Sequence, residues 1–211
     1  MTITYPLSVP NTTSFALVRM LGVSSTGQTV SPFTQTTQQY QWAGQYWEAD
    51  ITTIPLNRAQ SAEWEAFFLK LKGTFGTFYL QPDPNSLTNQ GTNASSPGSP
   101  TINGAHSANI SSLSITGATG GQTNYFKASD YISIGTGTSK QLFKVLSDAN
   151  TDGGGNVTVD IFPRLRTALS GGESVTTSNC TGVFRLVSNE ITWTVNHQSL
   201  YSLSFSCREA L

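Results

Sequence analysis

Any catalysis in this chain would have to be built from a thin set of side chains: His106, His197, Cys180, Cys207 and a scatter of carboxylates. A serine or cysteine nucleophile needs a positioned base, and the sequence has no G-x-S-x-G elbow to present one. His106 lies in a Ser/Asn/Gly-rich stretch, and His197 lies in "VNHQS", which reads as a turn. Zinc needs several ligands converging on one point, and two Cys with two His at unrelated spacings give no such pattern. The cysteines read as two buried free thiols, with a bridge open only if their strands are neighbours. "DANTDGGGN" offers Asp148, Asn150, Asp152 and Asn156 in the manner of a calcium loop, but it lacks the closing Glu and flanking helices and reads as a hairpin tip. It is no phosphate-binding loop either, because no Gly-Lys-Ser/Thr follows the glycines. A glycosidase needs two facing carboxylates, and nothing pairs any two of Asp130, Asp148, Asp152, Asp160 and Glu173. The expectation is a protein that is not an enzyme and holds no cofactor or metal.

Two other groups of residues suit recognition. In "PRLR", Arg164 and Arg166 alternate with Leu165, so on an extended chain both guanidinium groups reach one face and can fork onto the carboxylates of a neighbour. Tyr40, Trp42, Tyr46 and Trp47 crowd one segment, and aromatic side chains serve both cores and interface hot spots. Tyr40, Trp42, Tyr46, Arg164 and Arg166 are therefore the candidate subunit interface.

The elements that must position them follow from periodicity. "QQYQWAGQYWEADITTIP" predicts a hairpin with strands Gln38 to Trp42 and Gln45 to Thr53 and its turn near Ala43–Gly44. "STGQTVSPFTQT" upstream reads as a loop after an extended Phe15 to Leu21. A helix is predicted over 58–72. Asn57 and Gln60 form a capping box, Trp64, Phe67, Phe68 and Leu71 make one aromatic stripe, and Gly73 supplies the left-handed stop. "GTFGTFYLQP" is the next strand, with Phe75, Phe78 and Leu80 as its apolar residues. Residues 86–108 hold almost no large hydrophobes and read as an exposed linker. Residues 109–180 alternate over at least four short strands, enough for a small barrel or sandwich. The last three strands, Val183 to Val187, Glu190 to Val195 and Leu200 to Cys207, read as an antiparallel meander. They are too hydrophobic to trail from the preceding unit, so they are expected to return to the first sheet.

A chain of 211 residues can bury a core without metal or disulfide staples. Charged residues are only 11% of it and the net charge is -1, which gives little electrostatic steering and no basic cluster for nucleic acid. A surface so poor in charge suits subunits covered by neighbours. The start "MTITYPLSVPNTTSF" has neither a basic n-region nor an unbroken apolar run, so no secretory signal is expected, and no segment reaches membrane-spanning length.

Two stretches carry a resemblance: "YWEADITTIPLNRAQSAEWEAFFLKLKGTFGTFYLQPDP" and "KASDYISIGTGTSKQLFKVLSDANTDGGGNVTVDIFPRLR". In both, the chain resembles the distal tail proteins of long-tailed bacteriophages, which form the ring between tail tube and tail tip. The resemblance implies a mainly β protein: a β-sandwich or split barrel with one flanking α-helix, assembling as a sixfold ring, plus a second small β-barrel or β-sandwich domain. On this reading residues 1–85 and 181–211 form the ring domain, 86–108 link, and 109–180 are inserted. The implied partners are copies of itself in a hexamer, the tail tube protein and the tail tip hub, with a host surface glycan as a further candidate. The implied location is the virion tail, after synthesis in the host bacterial cytoplasm. The alternative is a carbohydrate-binding or host-receptor-binding tail module.

Overall fold

The computed structural model describes residues 3–10, 15–82, 89–195 and 200–210. Its one α-helix among them, α1 (Arg58–Leu71), forms where the capping box and stripe require. Asn57 Oδ1 accepts the Gln60 N–H at 3.0 Å, and Gln60 Oε1 accepts the Asn57 N–H at 3.1 Å, so two orphan donors of the first turn are satisfied. The helix ends one residue earlier than the sequence predicts. Lys72 already has a φ of 53°, and Gly73 follows at 68°. A side chain at Gly73 is excluded on a second ground as well. Its Cβ would lie 2.5 Å from Asn189 Oδ1, which accepts the Thr74 N–H at 3.0 Å.

The strands are β1 (Leu7–Ser8), β2 (Phe15–Val30), β3 (Thr37–Thr53), β4 (Thr77–Leu80), β5 (Thr101–Ile102), β6 (Ser112–Thr116), β7 (Tyr131–Ile134), β8 (Gln141–Val145), β9 (Val157–Phe162), β10 (Val175–Thr176), β11 (Gly182–Leu186), β12 (Trp193–Val195) and β13 (Tyr201–Glu209). They make two sheets in a mainly β protein. The first has the order β1-β4-β11-β13-β3-β2, with β12 also paired to β13. β1 runs parallel to β4, and the other pairs are antiparallel. Strands from the two ends of the chain thus share one sheet. α1 lies across it, because Trp64, Phe67, Phe68 and Leu71 need an apolar floor. Phe205 of β13 meets Phe68 edge-on at 5.0 Å and Trp64 at 5.7 Å, and Phe78 of β4 meets Phe67 at 5.6 Å. Only Phe78 and Leu80 of the expected "GTFGTFYL" set are buried. Phe75 precedes the strand, is exposed, and contacts Tyr5 at 6.0 Å.

Three further expectations are corrected in this sheet. The final strands are no meander, since β11 and β12 both pair with β13 and not with each other. The predicted loop over 25–36 is mostly strand, because β2 runs on to Val30 and the reversal occupies 31–36, closed by Ser31 N–H to Thr36 O at 2.9 Å. Ala43–Gly44 is no turn, because β3 continues through it opposite β2. The register there jumps from Ser24–Gln45 to Thr26–Gln41, which makes a bulge.

The second sheet has the order β10-β7-β8-β9-β6-β5 and closes on itself. Val175 N–H donates to Pro100 O and Ile102 N–H to Glu173 O, both at 2.9 Å, so β5 meets β10 and a small barrel results. Its core alternates as the sequence does: Leu113 and Ile115, Ile132 and Ile134, Phe143 and Val145, Val159 and Ile161 all point inward.

Residues 89–108 are part of this barrel, which corrects the linker expectation for the described portion of 86–108. The stretch lacks large hydrophobes because it is held by buried polar bonds. Asp130 accepts N–H groups from Gln90 at 2.6 Å, Gly91 at 3.1 Å and Lys127 at 3.0 Å, and the Asn93 amide at 3.0 Å. Asn89 clasps the Tyr131 backbone through both its N–H, at 3.0 Å, and its C=O, at 2.9 Å. A buried carboxylate is tolerated only when it is so completely satisfied.

Both cysteines are free and buried. Burial pushes the Cys180 thiol up to about 12 and raises that of Cys207 as well. At pH 8 both should therefore resist alkylation by iodoacetamide in the native protein and react fully in denaturant, as intact-mass measurement would show. The aromatic stripe should outweigh the cap. Phe68→Ala should cost about 3–5 kcal/mol and Asn57→Ala about 1 kcal/mol in urea unfolding.

Candidate assembly surface

Beyond Ser24 on β2 and Gln45 on β3, the first sheet continues as a two-stranded arm whose residues 37–44 are all exposed and which, among the described residues, only Arg164 touches through Gln41. No charged residue occurs between Arg19 and Glu48. The arm exposes Phe33 at its tip (95%), Trp42 (56%), Tyr40 (53%) and Val30. Trp42 lies at the bulge and folds back over Gly27, where a Cβ would overlap the indole. Tyr40 donates its hydroxyl to Gln38 Oε1 at 3.0 Å. β2 is the last strand of its sheet, and β13 pairs with β3 only over Glu48–Thr52, so both long edges of the arm present unpaired backbone. Two strands alone are marginal in water, and an edge without charge or proline is open to further pairing.

The foot of the arm is where the barrel docks. Trp47, buried at the end of β3's exposed run, donates its indole N–H to Leu142 O of β8 at 3.1 Å. Phe162 of β9 packs edge-on against it at 5.0 Å. Its backbone N–H donates to Glu209 Oε2 at 3.0 Å. Glu209, on β13, is buried and takes both arms of the Arg166 fork. Burial pushes the Glu209 carboxyl above its usual range, while the Arg166 charge and its hydrogen bonds, together with the Trp47 N–H, draw it back. Arg166 also donates to Gln45 O at 3.3 Å, and Arg164 reaches Gln41 Oε1 at 3.3 Å while its backbone N–H meets Gln45 Oε1 at 2.9 Å.

The five sequence candidates therefore separate. Tyr40 and Trp42 stand on the exposed arm. Arg164 and Arg166 do reach one face, as their alternation predicts, with Leu165 buried in the barrel. Their partners, however, are β3 and β13 of the same chain, so the Arg166 fork is corrected from a neighbour's carboxylate to Glu209. No local signal could have revealed this, because the pair joins residues far apart in the sequence. Tyr46 is half-buried and lines a cavity of about 240 Å3 with Arg185, Arg208 and Glu209.

The side-chain oxygens of the calcium-like loop accept backbone N–H groups from the loop itself and from the 124–128 segment. Asp152 accepts N–H groups from Gly154 and Asn156, both at 2.8 Å, Asp148 accepts that of Ala128 at 2.8 Å, and Asn150 that of Asn124 at 2.6 Å. No group of three or more His, Cys, Asp or Glu suited to a metal occurs among the described residues. His106 Nε2 accepts the Ser114 N–H at 3.3 Å, a structural bond, and His197 lies outside the described residues. No helix among the described residues is long and apolar enough to cross a membrane. No family model matches the chain, and no curated protein matches it either.

Removing one partner of a buried ion pair strands the other. Arg166→Ala should cost about 3 kcal/mol, at the low end for such pairs because Arg166 keeps some solvent contact. Trp47→Phe, which keeps the ring and loses the donor, should cost about 1 kcal/mol. Urea unfolding of the two variants checks the ranking.

Proposed function

We propose that this chain is a structural subunit of a phage tail, forming a ring at the distal end of the tail tube and joining the tube to the tip hub. The observation that carries this reading is the uncharged arm of residues 24–43, with its exposed aromatics and its open edges. A closed ring needs a heterologous interface, in which one edge of a subunit complements a different surface of the next. An arm of this kind would be an aggregation hazard on a monomer and is a ready joint in a ring. The phage resemblance of the helix-containing and barrel stretches supplies the tail context, the virion location and the tube and hub as partners.

The alternative, a glycan-binding or host-receptor-binding module, asks the barrel for a stacking platform. The exposed aromatics Phe33, Tyr40, Trp42, Phe75 and Trp193 all belong to the first sheet unit, and Leu146 is the one large apolar side chain that the described barrel strongly exposes. This distribution favours assembly over sugar binding.

Light scattering with negative-stain averaging of the purified chain tests the reading. A closed ring of about six copies is expected, and it should be lost when 25–42 is replaced by a two-residue turn. A monomer at every concentration, in both the full chain and the shortened one, would overturn it.

A further inference from the structure

On the face of the first sheet away from α1, the register sets Arg185 of β11 directly opposite Arg208 of β13. Like charges opposed across an antiparallel pair repel. The nearest compensation is Glu48, opposite Arg208 on its other side, yet among the described residues Glu48 forms no ion pair with it, and neither arginine makes a side-chain hydrogen bond. Arg185 Nε is moreover buried without an acceptor among the described residues, as is Arg166 Nε, but Arg185 has no carboxylate on the rest of its guanidinium to offset this. Both arginines line one cavity of about 240 Å3 with Tyr46, whose hydroxyl also has no partner. The fourth lining residue, Glu209, alternates with Arg208 along β13, so its carboxylate turns to the buried face, where it bonds Arg166 and the Trp47 N–H.

Arg208 is exposed and Arg185 and Tyr46 are half-buried, so two guanidinium groups and a phenol border one open cavity with no acceptor among the described residues. We propose that Arg185, Arg208 and Tyr46 form an oxyanion site that takes a carboxylate or phosphate group. Guanidinium forks match the paired oxygens of such groups, and one bound anion would both cancel the repulsion and satisfy the buried Nε. The acceptor is either a free ion or an acidic side chain of a second copy of the chain. The site stands whether or not the protein forms a ring.

The probe is inorganic phosphate, titrated into the full chain at pH 7 with ionic strength held constant by sodium chloride, while the arginine Nε–H signals are followed by NMR. Saturable shifts of the Arg185 and Arg208 signals are expected, with Arg19 unmoved. Arg185→Gln and Arg208→Gln should each weaken binding at least tenfold, and Tyr46→Phe severalfold. In phosphate-free buffer, at a concentration where light scattering shows the chain monomeric, Arg208→Gln should melt no lower than the parent chain, because it removes the repulsion, and phosphate should raise the parent's melting temperature alone. Shifts no larger than those of Arg19, or an Arg208→Gln that melts clearly lower in phosphate-free buffer where light scattering gives parent and variant the same monomeric mass, would overturn the site. Light scattering separates the two sources. A second copy as donor predicts a larger mass without phosphate that falls on its addition, and a free ion predicts an unchanged mass.

Discussion

Glu209 is a carboxylate placed where water cannot reach it, and much of the architecture can be read as what that placement demands. An ionised group so buried would cost several kcal/mol if left unpaired. Its charge is met by the Arg166 fork and one oxygen by the Trp47 N–H. Arg166 belongs to the segment leaving the barrel's β9, Glu209 ends β13, and Trp47 sits in β3 where the sheet gives way to the arm. One buried charge therefore fixes the barrel against the sheet and sets the arm's foot at the same point. Trp47 adds direction, since its indole N–H reaches Leu142 O on β8 while its ring packs on Phe162. Leu142 itself belongs to the core of the first sheet, so the apolar packing is continuous across the junction.

What the sequence disclosed, and what it withheld, follows the range of the interactions. The capping box of Asn57 and Gln60 acts over three residues, and the Trp64–Leu71 stripe over seven, so α1 was legible almost to its last residue. The barrel strands β6 to β9 were legible because apolar residues recur at every second position, although β8 adds Leu142 on its outer face for the first core. Ala43–Gly44 misled because small residues serve a bulge as well as a turn. Only pairing with β2, itself read as a loop beyond Leu21, distinguishes the two. The 86–108 stretch reads as a linker because hydrophobicity reports burial by apolar contact alone. Asn89, Asn93 and Asp130 are buried through hydrogen bonds, which leave no periodic trace. Of the interface candidates, Tyr40 and Trp42 share a face by alternation, but their exposure follows from an arm that is exposed on both faces over 37–44, whereas the partner of Arg166 and the opposition of Arg185 to Arg208 exist only once distant strands are paired.

The charge distribution links these elements. The arm carries no charge, the barrel's buried Asp130 is locked in polar bonds, and Arg185 and Arg208 lie beside Tyr46 near the arm's base. Apolar and backbone interactions are thus offered along the arm and ionic ones at its foot. A neighbour meeting both would be held in register by the second kind while most of the contact area came from the first.

The barrel enters and leaves through adjacent antiparallel strands, with Leu80 of β4 facing Gly182 of β11. In topological terms it is an exchangeable cassette, since a short hairpin could close the gap left by its excision. The chemistry is less permissive than the topology. Excision would take away Arg166 and the Leu142 carbonyl, leaving Glu209 and the Trp47 indole facing solvent as an empty socket. Any domain that evolution or engineering seats there inherits the same terms of entry: one cation for the carboxylate and one acceptor for the indole.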